Sequence, residues 1–395
     1  MRSFGQWFTV EIGPKRVYGL DILRFGAIIS VMIHHGNYVL PDPIAEVVER
    51  ILINGVSVFF VLSGFLIGGI LMKVLERDGA RWPVLLDFWK RRWLRTVPPY
   101  LIILTLLAFS AQIAGTHELG TIWPYYLFVQ NFGVQHPTFF PEAWTMPCEE
   151  WFYLMAPLLA FALVGRGLTV RQAILAVALV AIVFSIWYRY DRFINWEGIV
   201  TRRDWDLSFR KQVLPRFDSL MIGVLGAYVA RYHHAAWVRF KRPLLVIGMV
   251  ALVLLDQLDH HFESTRIGFF SCVPSFTIAS LALLAVMPFL SEYRTGSGPV
   301  YRAITRFSIV SFSVYLIHLS VVQFKLVNRI TPAMLNALAL DPSAEWVVWM
   351  NYVLYWVLSI TLAFPMYRWI EMPFMNIRKK LPQVARQRST PSVEA

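Results

Sequence analysis

The sequence predicts an all-α, polytopic membrane protein with about ten transmembrane helices and both termini in the cytoplasm. Hydrophobic residues make up 57% of its 395 residues, and the mean hydropathy is +0.52. The apolar residues form continuous runs of about 17 to 25, the length that crosses a bilayer as a helix. A transmembrane β-barrel would instead alternate apolar and polar residues, so the pattern favours helices.

The apolar runs set the order of the predicted helices. Pro98 and Pro99 are predicted to open the third helix, because proline is tolerated in a first turn. In the second helix, small residues such as Ser63 and Gly64 would allow close packing against a neighbour. The ten predicted helices cover residues 18–36, 52–72, 98–115, 144–164, 172–188, 217–230, 243–257, 268–290, 308–327 and 346–367.

Three regions follow from this order. Residues 1–17 form a short basic segment in the cytoplasm, and residues 18–378 form the transmembrane domain. Residues 379–395 form a cytoplasmic tail, whose polar and basic composition predicts disorder. We expect no cleavable signal peptide, because the first apolar run has full span length and lacks a small-residue cleavage site.

We attribute the net charge of +12 to Lys and Arg residues that set the orientation of the helices in the membrane, and not to nucleic-acid binding. With ten spans, the predicted cytoplasmic segments hold 25 of the 37 Lys and Arg residues, and the opposite side holds 10. Cationic residues collect in cytoplasmic loops in this way. The exception is the outer loop 189–216, which alone holds seven Lys and Arg. We expect this loop to be an ordered element that faces the substrate.

The first predicted helix, 18–36, carries Asp21, Arg24, His34 and His35. Ionisable groups inside a span are costly and mark candidate functional sites. Arg24 and His35 lie eleven residues apart, about 20° past three full turns, so they share one helix face at roughly 16 Å along the axis. A histidine titrates near neutral pH and suits proton transfer. The alternative is that His35 bonds a loop and Arg24 merely pairs with Asp21.

Three arginines follow the second predicted helix at the cytoplasmic side. Arg92 and Arg95 are three residues apart and fall on one helical face, next to Arg91. Because arginine binds phosphate through two parallel hydrogen bonds, they could hold a phosphorylated donor. The alternative is an anchor that sets topology and contacts lipid head groups.

Two carboxylates, Glu149 and Glu150, stand at the outer entrance of the fourth predicted helix. They could act as base, cation ligand or sugar-binding group, and Trp144, Trp151 and Tyr153 could stack on a sugar ring. The alternative is an interfacial aromatic belt with carboxylates in water.

Tyr315 and His318 are neighbours on the ninth predicted helix, three residues apart. A packing role and a functional role both fit this pair. The sequence holds no Gly-rich phosphate loop, metal-ligand cluster or GxSxG element. We therefore expect no metal site and no tightly bound cofactor. Cys148 and Cys272 stand in or beside apolar segments and imply no disulfide framework.

Taken together, these segments resemble the acyltransferase-3 family of integral-membrane acyltransferases, over roughly residues 15 to 378. Their number and order carry the resemblance, and Thr145 stands where the family usually has serine. The matching segments are LDILRFGAIISVMIHH, FFVLSGFLI, RRWLRTVPPYL, WTMPCEEWFYL, SVYLIHLSVV and WIEMPF.

The resemblance implies that 18–378 is an acyltransferase domain of a bacterial inner (plasma) membrane. It implies transfer of an acyl group, usually acetyl, from cytoplasmic acyl-CoA (acetyl-CoA) to a hydroxyl of a carbohydrate. Such acceptors are surface polysaccharides, lipopolysaccharide, peptidoglycan or soluble glycosides. The family sometimes carries a fused extracytoplasmic domain, and we expect none after the last span here.

The resemblance also suggests roles for five residues. Arg92 and Arg95 would hold the CoA phosphates, and the pantetheine arm would reach toward Arg24. His35 would act as general base on the acceptor hydroxyl or transiently carry the acyl group. Glu149 would orient His35 or bind the sugar.

A transporter or flippase for a lipid-linked sugar or a small solute is the competing class. Arg24 and His35 would then line a proton or substrate path. No clear internal repeat of the kind found in many transporters is present. The acceptor, the acyl group and the oligomeric state stay open at this stage.

Overall fold

The computed structural model describes residues 10, 12–13, 16–49, 54–115, 119–263, 267–341 and 344–380. Within these ranges all regular structure is helical, which confirms the predicted all-α class. Residues 381–395 of the predicted tail and most of the segment 1–17 lie outside the described residues. Ten long helices match the ten predicted ones and are labelled in chain order. They are α1 Tyr18–Gly36, α2 Gly55–Asp78, α3 Trp82–Ile113, α4 Thr145–Gly165, α5 Val170–Ile194, α6 Phe217–Tyr232, α7 Lys241–Glu263, α8 Ser275–Glu292, α9 Gly298–Ile317 and α10 Glu345–Met366.

The polytopic membrane class is confirmed as well. Seven of the described helical stretches are long and apolar enough to cross a membrane. The number rises to eight if the bent pair Arg202–Arg210 and Leu214–Tyr232, which meet at 83°, counts as one span. Helix α1 is not among the seven, because its ionisable side chains lower its hydropathy.

The predicted start of the third helix is wrong. Helix α3 begins at Trp82 and contains both Pro98 and Pro99 in its interior. Each proline removes one backbone N–H from the helical ladder, yet the helix continues through them. It packs against α4 and against the C-terminal helix Met372–Lys380, and such packing allows proline inside a membrane helix. The arginines ahead of the prolines therefore lie on a helix that runs into the span.

Small residues bring α2 and α6 into backbone contact. A Cβ on Gly64 would overlap the carbonyl oxygen of Leu220, and a Cβ on Gly223 would overlap that of Val61. The two helices can approach this closely only because both positions lack a side chain. This confirms the close packing predicted for the second helix.

Helix α1 lies inside the bundle, packed against α2, α8, α9 and α10. Ile28 and Met32 are fully buried on it, while Arg24 and His35 are partly buried. The bundle thus holds the polar face of α1 in its interior, where a site can form.

The predicted outer loop 189–216 is an ordered structure. Helix α5 extends into it to Ile194, and a three-residue helix, Arg202–Asp204, a π-helix, Trp205–Arg210, and a 3-10 turn follow. The fully buried Arg189 holds this loop in place through hydrogen bonds. Its guanidinium donates to the carbonyl oxygens of Val273 and Pro215 and to the Asp218 carboxylate at 2.8 Å.

Helix α9 continues beyond Ile317 as a π-helix, His318–Val327. Such widened turns are rare and often stand at functional sites. The buried Glu142 carboxylate holds this one in place by accepting from the Ser320 backbone N–H at 2.8 Å and from its hydroxyl at 2.6 Å. The widened turn places His318 opposite α1.

Candidate active site

His35 of α1 meets His318 at the end of α9. The His35 Nδ1 and His318 Nε2 atoms are 2.8 Å apart, although 283 residues separate them in the chain. His318 is fully buried, and its Nδ1 lies 2.8 Å from the carbonyl oxygen of Tyr315. The structure thus brings together two histidines that the sequence placed on different helices.

This pair fixes the proton positions of both neutral rings. A carbonyl oxygen can only accept, so His318 Nδ1 carries a proton and donates it to Tyr315. His318 Nε2 then has a lone pair and accepts from His35 Nδ1. The proton of His35 is therefore on Nδ1, and its Nε2 keeps a lone pair that can accept a proton. This is the state that a general base requires.

Tyr315 is held rigidly beside the pair. Its hydroxyl donates to the Glu142 carbonyl oxygen at 2.5 Å, so it accepts from the Thr145 hydroxyl at 2.8 Å. Because Thr145 begins α4, this bond joins α4 to α9. Thr145 therefore supplies a hydroxyl group at the position where the family usually has serine.

A cavity of about 840 Å³ lies beside His35, and we call it the outer cavity because this end of α1 is predicted to face outward. His34, His35 and Tyr315 line it together with Trp144. The outer loop forms the facing wall. The wall residues are Arg202, Arg203, Trp205, Asp206, Arg210 and Lys211.

A second, narrower cavity of about 90 Å³ lies deeper in the bundle, and we call it the inner cavity. It contains Arg24, Arg92, Arg95 and Glu149, so four of the five residues singled out by sequence lie in one place. The rest of its wall is mostly apolar, including Phe59, Phe60, Leu66, Ile67 and Phe312.

Asp21 is not the hydrogen-bond partner of Arg24. Its carboxylate accepts from Arg16 Nε at 2.8 Å and from the Ser308 hydroxyl at 3.0 Å. Arg24 instead lines the inner cavity. Asp21 therefore interacts with Arg24 by charge alone, while its hydrogen bonds go to Arg16 and Ser308.

Glu149 lies with the arginines and not with His35. Its carboxylate accepts from the Tyr153 hydroxyl at 2.5 Å and from Ser63 at 3.3 Å. The same Tyr153 hydroxyl accepts from Arg92, whose guanidinium stands 4.1 Å from the ring centre. Glu149 and Arg92 are thus joined through Tyr153, and His318 takes the place beside His35.

A third cavity of about 480 Å³ lies at the other end of α2, and we call it the basic cavity. Its two carboxylates are already paired, Asp78 with Arg77 and Asp87 with Arg91. The cations that line it are Lys73, Arg77, Arg91, Arg92 and Arg378.

The three cavities follow one another along α2. The outer and inner cavities share Val56 and Tyr315, and the inner and basic cavities share Ile67 and Arg92. Helix α2 has 24 residues, about 36 Å of length, which is enough to cross the hydrocarbon core of a bilayer. The row therefore leads from a cationic cavity at one end to His35 at the other.

Glu371 lines none of the three cavities, but it is a buried carboxylate near the inner cavity to which the sequence assigned no role. It is 1% exposed, accepts from the Ser313 hydroxyl at 3.0 Å, and interacts electrostatically with Arg95. An acidic residue at the end of an apolar run is a signal that could have found it. His318 had a signal in its spacing from Tyr315, but the sequence alone did not select it.

Known proteins resemble the chain over most of its length. The acyltransferase domain family matches residues 17–368. The peptidoglycan O-acetyltransferase OatA of Listeria monocytogenes is 30% identical over 297 residues, which is 64% of this chain and 45% of that protein. A putative O-acetyltransferase of Staphylococcus aureus is 26% identical over 418 residues, covering 93% of this chain and 58% of that protein.

A further relative is the O-acetyltransferase OatA of Staphylococcus aureus, 30% identical over 167 residues, which is 39% of this chain and 26% of that protein. The chain thus spans between about a quarter and three fifths of the length of these relatives. No solved structure shows significant similarity to it. The family match covers nearly the whole bundle, including the histidine pair and every residue that lines the three cavities except Arg378, and on this basis the chain belongs to the acyltransferase-3 family.

Proposed function

We propose that this protein is a multi-pass membrane O-acyltransferase that moves an acyl group, acetyl in the first instance, from acyl-CoA to a hydroxyl of a carbohydrate. The relatives are named as bacterial O-acetyltransferases, one of them for peptidoglycan, which supports a bacterial plasma membrane and a carbohydrate acceptor. One observation carries the proposal: the row of three cavities along α2 joins a cationic end to a histidine with a free lone pair.

The donor enters at the basic cavity. CoA carries phosphates, and arginine and lysine bind phosphate by charge-assisted hydrogen bonds. Arg92 lines both the basic and the inner cavity. It would therefore contact CoA at the junction between the phosphates and the pantetheine arm. The mostly apolar lining of the inner cavity suits the extended arm, with Arg24 and Arg95 beside it. The distribution of Lys and Arg along the sequence supports a cytoplasmic position for this end.

The acceptor enters at the outer cavity. His35 Nε2 takes the proton of the acceptor hydroxyl while the oxygen attacks the thioester carbonyl carbon. The carbon–sulfur bond then breaks, and the leaving thiolate takes the proton back from His35. When His35 is protonated, its Nδ1–H continues to donate to His318 Nε2, so the charged ring keeps its orientation.

Glu149 positions Arg92 in this scheme. The path from the carboxylate through the Tyr153 hydroxyl to the guanidinium is continuous. A carboxylate at one end of such a chain favours the charged arginine at the other. Glu149 would therefore act on donor binding, and it would leave the orientation of His35 to His318.

The test is transfer of labelled acetyl from acetyl-CoA to a carbohydrate fraction by the full chain in lipid nanodiscs. The wild-type protein produces labelled carbohydrate, and His35→Ala lowers the rate about 10² to 10⁴-fold, the usual contribution of a general base. The matched control is His233→Ala, which removes a histidine outside the three cavities and keeps the rate.

Full activity of His35→Ala would exclude His35 as the base. A reaction without the acceptor distinguishes direct transfer from transfer through an acylated His35. Label on the His35 ring would indicate that this histidine carries the acyl group. Saturable movement of a lipid-linked sugar or solute without any acylation would indicate that the protein is a transporter and not an acyltransferase.

A further inference from the structure

We propose that the acceptor is an anionic carbohydrate, whose carboxylate or phosphate group is bound by the wall of the outer cavity that the loop 189–216 supplies. This inference rests on the proposed function, because it names the acceptor class of the same site. We call this wall the cationic wall. It consists of Arg202, Arg203, Arg210 and Lys211.

The loop departs from the usual distribution of charge in membrane proteins. Loops on the outer side are normally poor in Lys and Arg, yet this one holds seven. Three of the seven have structural roles: Arg189 and Arg216 are buried, and Arg192 donates to the Ser208 carbonyl and the Gln212 side chain. The other four line the outer cavity. The structure thus directs the excess charge into the cavity that contains His35.

Acidic groups do not balance these cations. The described lining of the outer cavity holds four Lys and Arg side chains and two carboxylates, Asp206 and Asp256. Asp206 is shared, since Arg210 Nε donates to it at 2.5 Å and the Lys211 ammonium lies 2.6 Å from it. One carboxylate thus faces two cations, and the described lining residues keep an excess of positive charge.

Two of the four cations of the cationic wall, Arg210 and Lys211, are partly buried, whereas Arg202 and Arg203 are exposed. The Arg210 and Lys211 side chains are only 18% and 19% exposed. The Arg210 guanidinium stands 5.5 Å from the Trp144 ring centre, and that of Arg202 stands 5.1 Å from Trp205. Trp205 is itself anchored by a 2.8 Å bond from its indole N–H to the Ser271 carbonyl. Partly buried, oriented cations attract an anion more strongly than exposed ones.

A neutral sugar would not match the excess positive charge of the described lining. Bringing a neutral glycan against it would strip water from the cations without offering an opposite charge, which is unfavourable. A carboxylate or phosphate on the glycan would bind the wall and present a nearby hydroxyl to His35. The shared chemistry is a fixed negative charge on the sugar, from a uronic acid or from a sugar phosphate.

The experiment compares three acceptors of equal length: a neutral oligosaccharide, one that contains uronic acid and one that carries phosphate. The full chain is placed in nanodiscs of zwitterionic lipid, so that no anionic head group competes. We expect kcat/KM to be at least tenfold higher for one or both anionic acceptors, and this preference to shrink as salt is raised. Comparison of the two anionic acceptors shows whether the cavity prefers a carboxylate or a phosphate group. Equal use of all three acceptors would overturn the proposal.

Two variants test the cationic wall in opposite directions. Arg202→Gln combined with Arg203→Gln lowers the ratio of kcat/KM between anionic and neutral acceptors about tenfold. Asp206→Asn removes a competing carboxylate and raises that ratio. The control Arg166→Gln removes an exposed cation from the turn between α4 and α5 and leaves the ratio unchanged. An unchanged ratio in both wall variants would contradict the inference.

Direct binding separates this proposal from the proposed function. The His35→Ala protein is titrated with the same three oligosaccharides, with no acetyl-CoA present. Tighter binding of an anionic oligosaccharide supports the cationic wall even if no acetyl transfer occurs, while equal binding rejects it. Absence of transfer to every acceptor by the wild-type protein counts against the acyltransferase function alone.

Discussion

The basic cavity and the cationic wall of the outer cavity are both rich in Lys and Arg, but they are constructed differently. The basic cavity takes its cations from the long helices α2 and α3 and from Arg378. The cationic wall takes all four from one loop made of a short helix, a π-helix and their connections. Long helices fix a site precisely in space, while loops tolerate sequence change.

This difference teaches how one bundle could serve one donor and many acceptors. Acyl-CoA would always present the same phosphates, so the Lys and Arg side chains that bind it can belong to the helical scaffold. Acceptors vary from one protein to another, and a loop can change without disturbing the bundle. His35 lies on α1 and His318 in the π-helix that follows α9, so both histidines belong to the bundle and not to the loop.

The largest expected effect comes from the donor end. Arg92→Gln together with Arg95→Gln removes two charged groups from the inner cavity, each worth about 1.5 to 3 kcal/mol when it bonds a charged partner. We expect the KM for acetyl-CoA to rise at least a hundredfold, with the KM for the acceptor nearly unchanged. Initial rates over a grid of both substrate concentrations measure the two values. A rise confined to the acceptor KM would reverse the assignment of the two ends.

The next effect concerns His318, the hydrogen-bond partner of His35. His318→Ala removes the acceptor of the His35 Nδ1–H bond, so the ring loses its orientation and tautomer. We expect kcat to fall about 10- to 100-fold with little change in either KM. His318→Gln restores an acceptor oxygen and should recover part of the rate.

The pH profile of kcat distinguishes orientation from packing. If His318 orients the base, the acidic limb of the profile moves in His318→Ala, because the protonation of His35 changes. If His318 only packs, both variants lower the amount of folded protein and leave the profile in place.

The smallest effect sharpens the assignment of Glu149. Glu149→Gln keeps the size of the side chain and removes its charge, so the chain through Tyr153 to Arg92 weakens. We expect the KM for acetyl-CoA to rise about threefold to tenfold, as for loss of one hydrogen bond to a neutral partner. An altered acceptor KM would instead support the sequence-based idea that Glu149 binds the sugar. Ser63→Ala, which removes the other partner of this carboxylate, serves as the matched comparison.

The sequence by itself determined the features that depend on local periodicity and composition. Continuous apolar runs of span length predict helices wherever they occur. A helix is present at all ten positions, and seven or eight of the described stretches are long and apolar enough to cross a membrane. The eleven-residue spacing placed Arg24 and His35 on one face because a helix repeats every 3.6 residues. Small residues such as Gly64 predicted close packing. The match of several ordered motifs predicted the family.

Only the tertiary structure decided which polar groups meet. Nothing local relates His35 to His318, Glu142 to Ser320, or Glu149 to Arg92, because these pairs are set by how helices distant in the chain pack. The same holds for the outer loop, whose cations could equally have faced water. The prolines of α3 were misplaced for a related reason: local propensity disfavours them inside a helix, and packing against neighbouring helices outweighs that preference. Helices follow from short-range spacing, whereas a site between helices follows from long-range contacts that spacing does not contain.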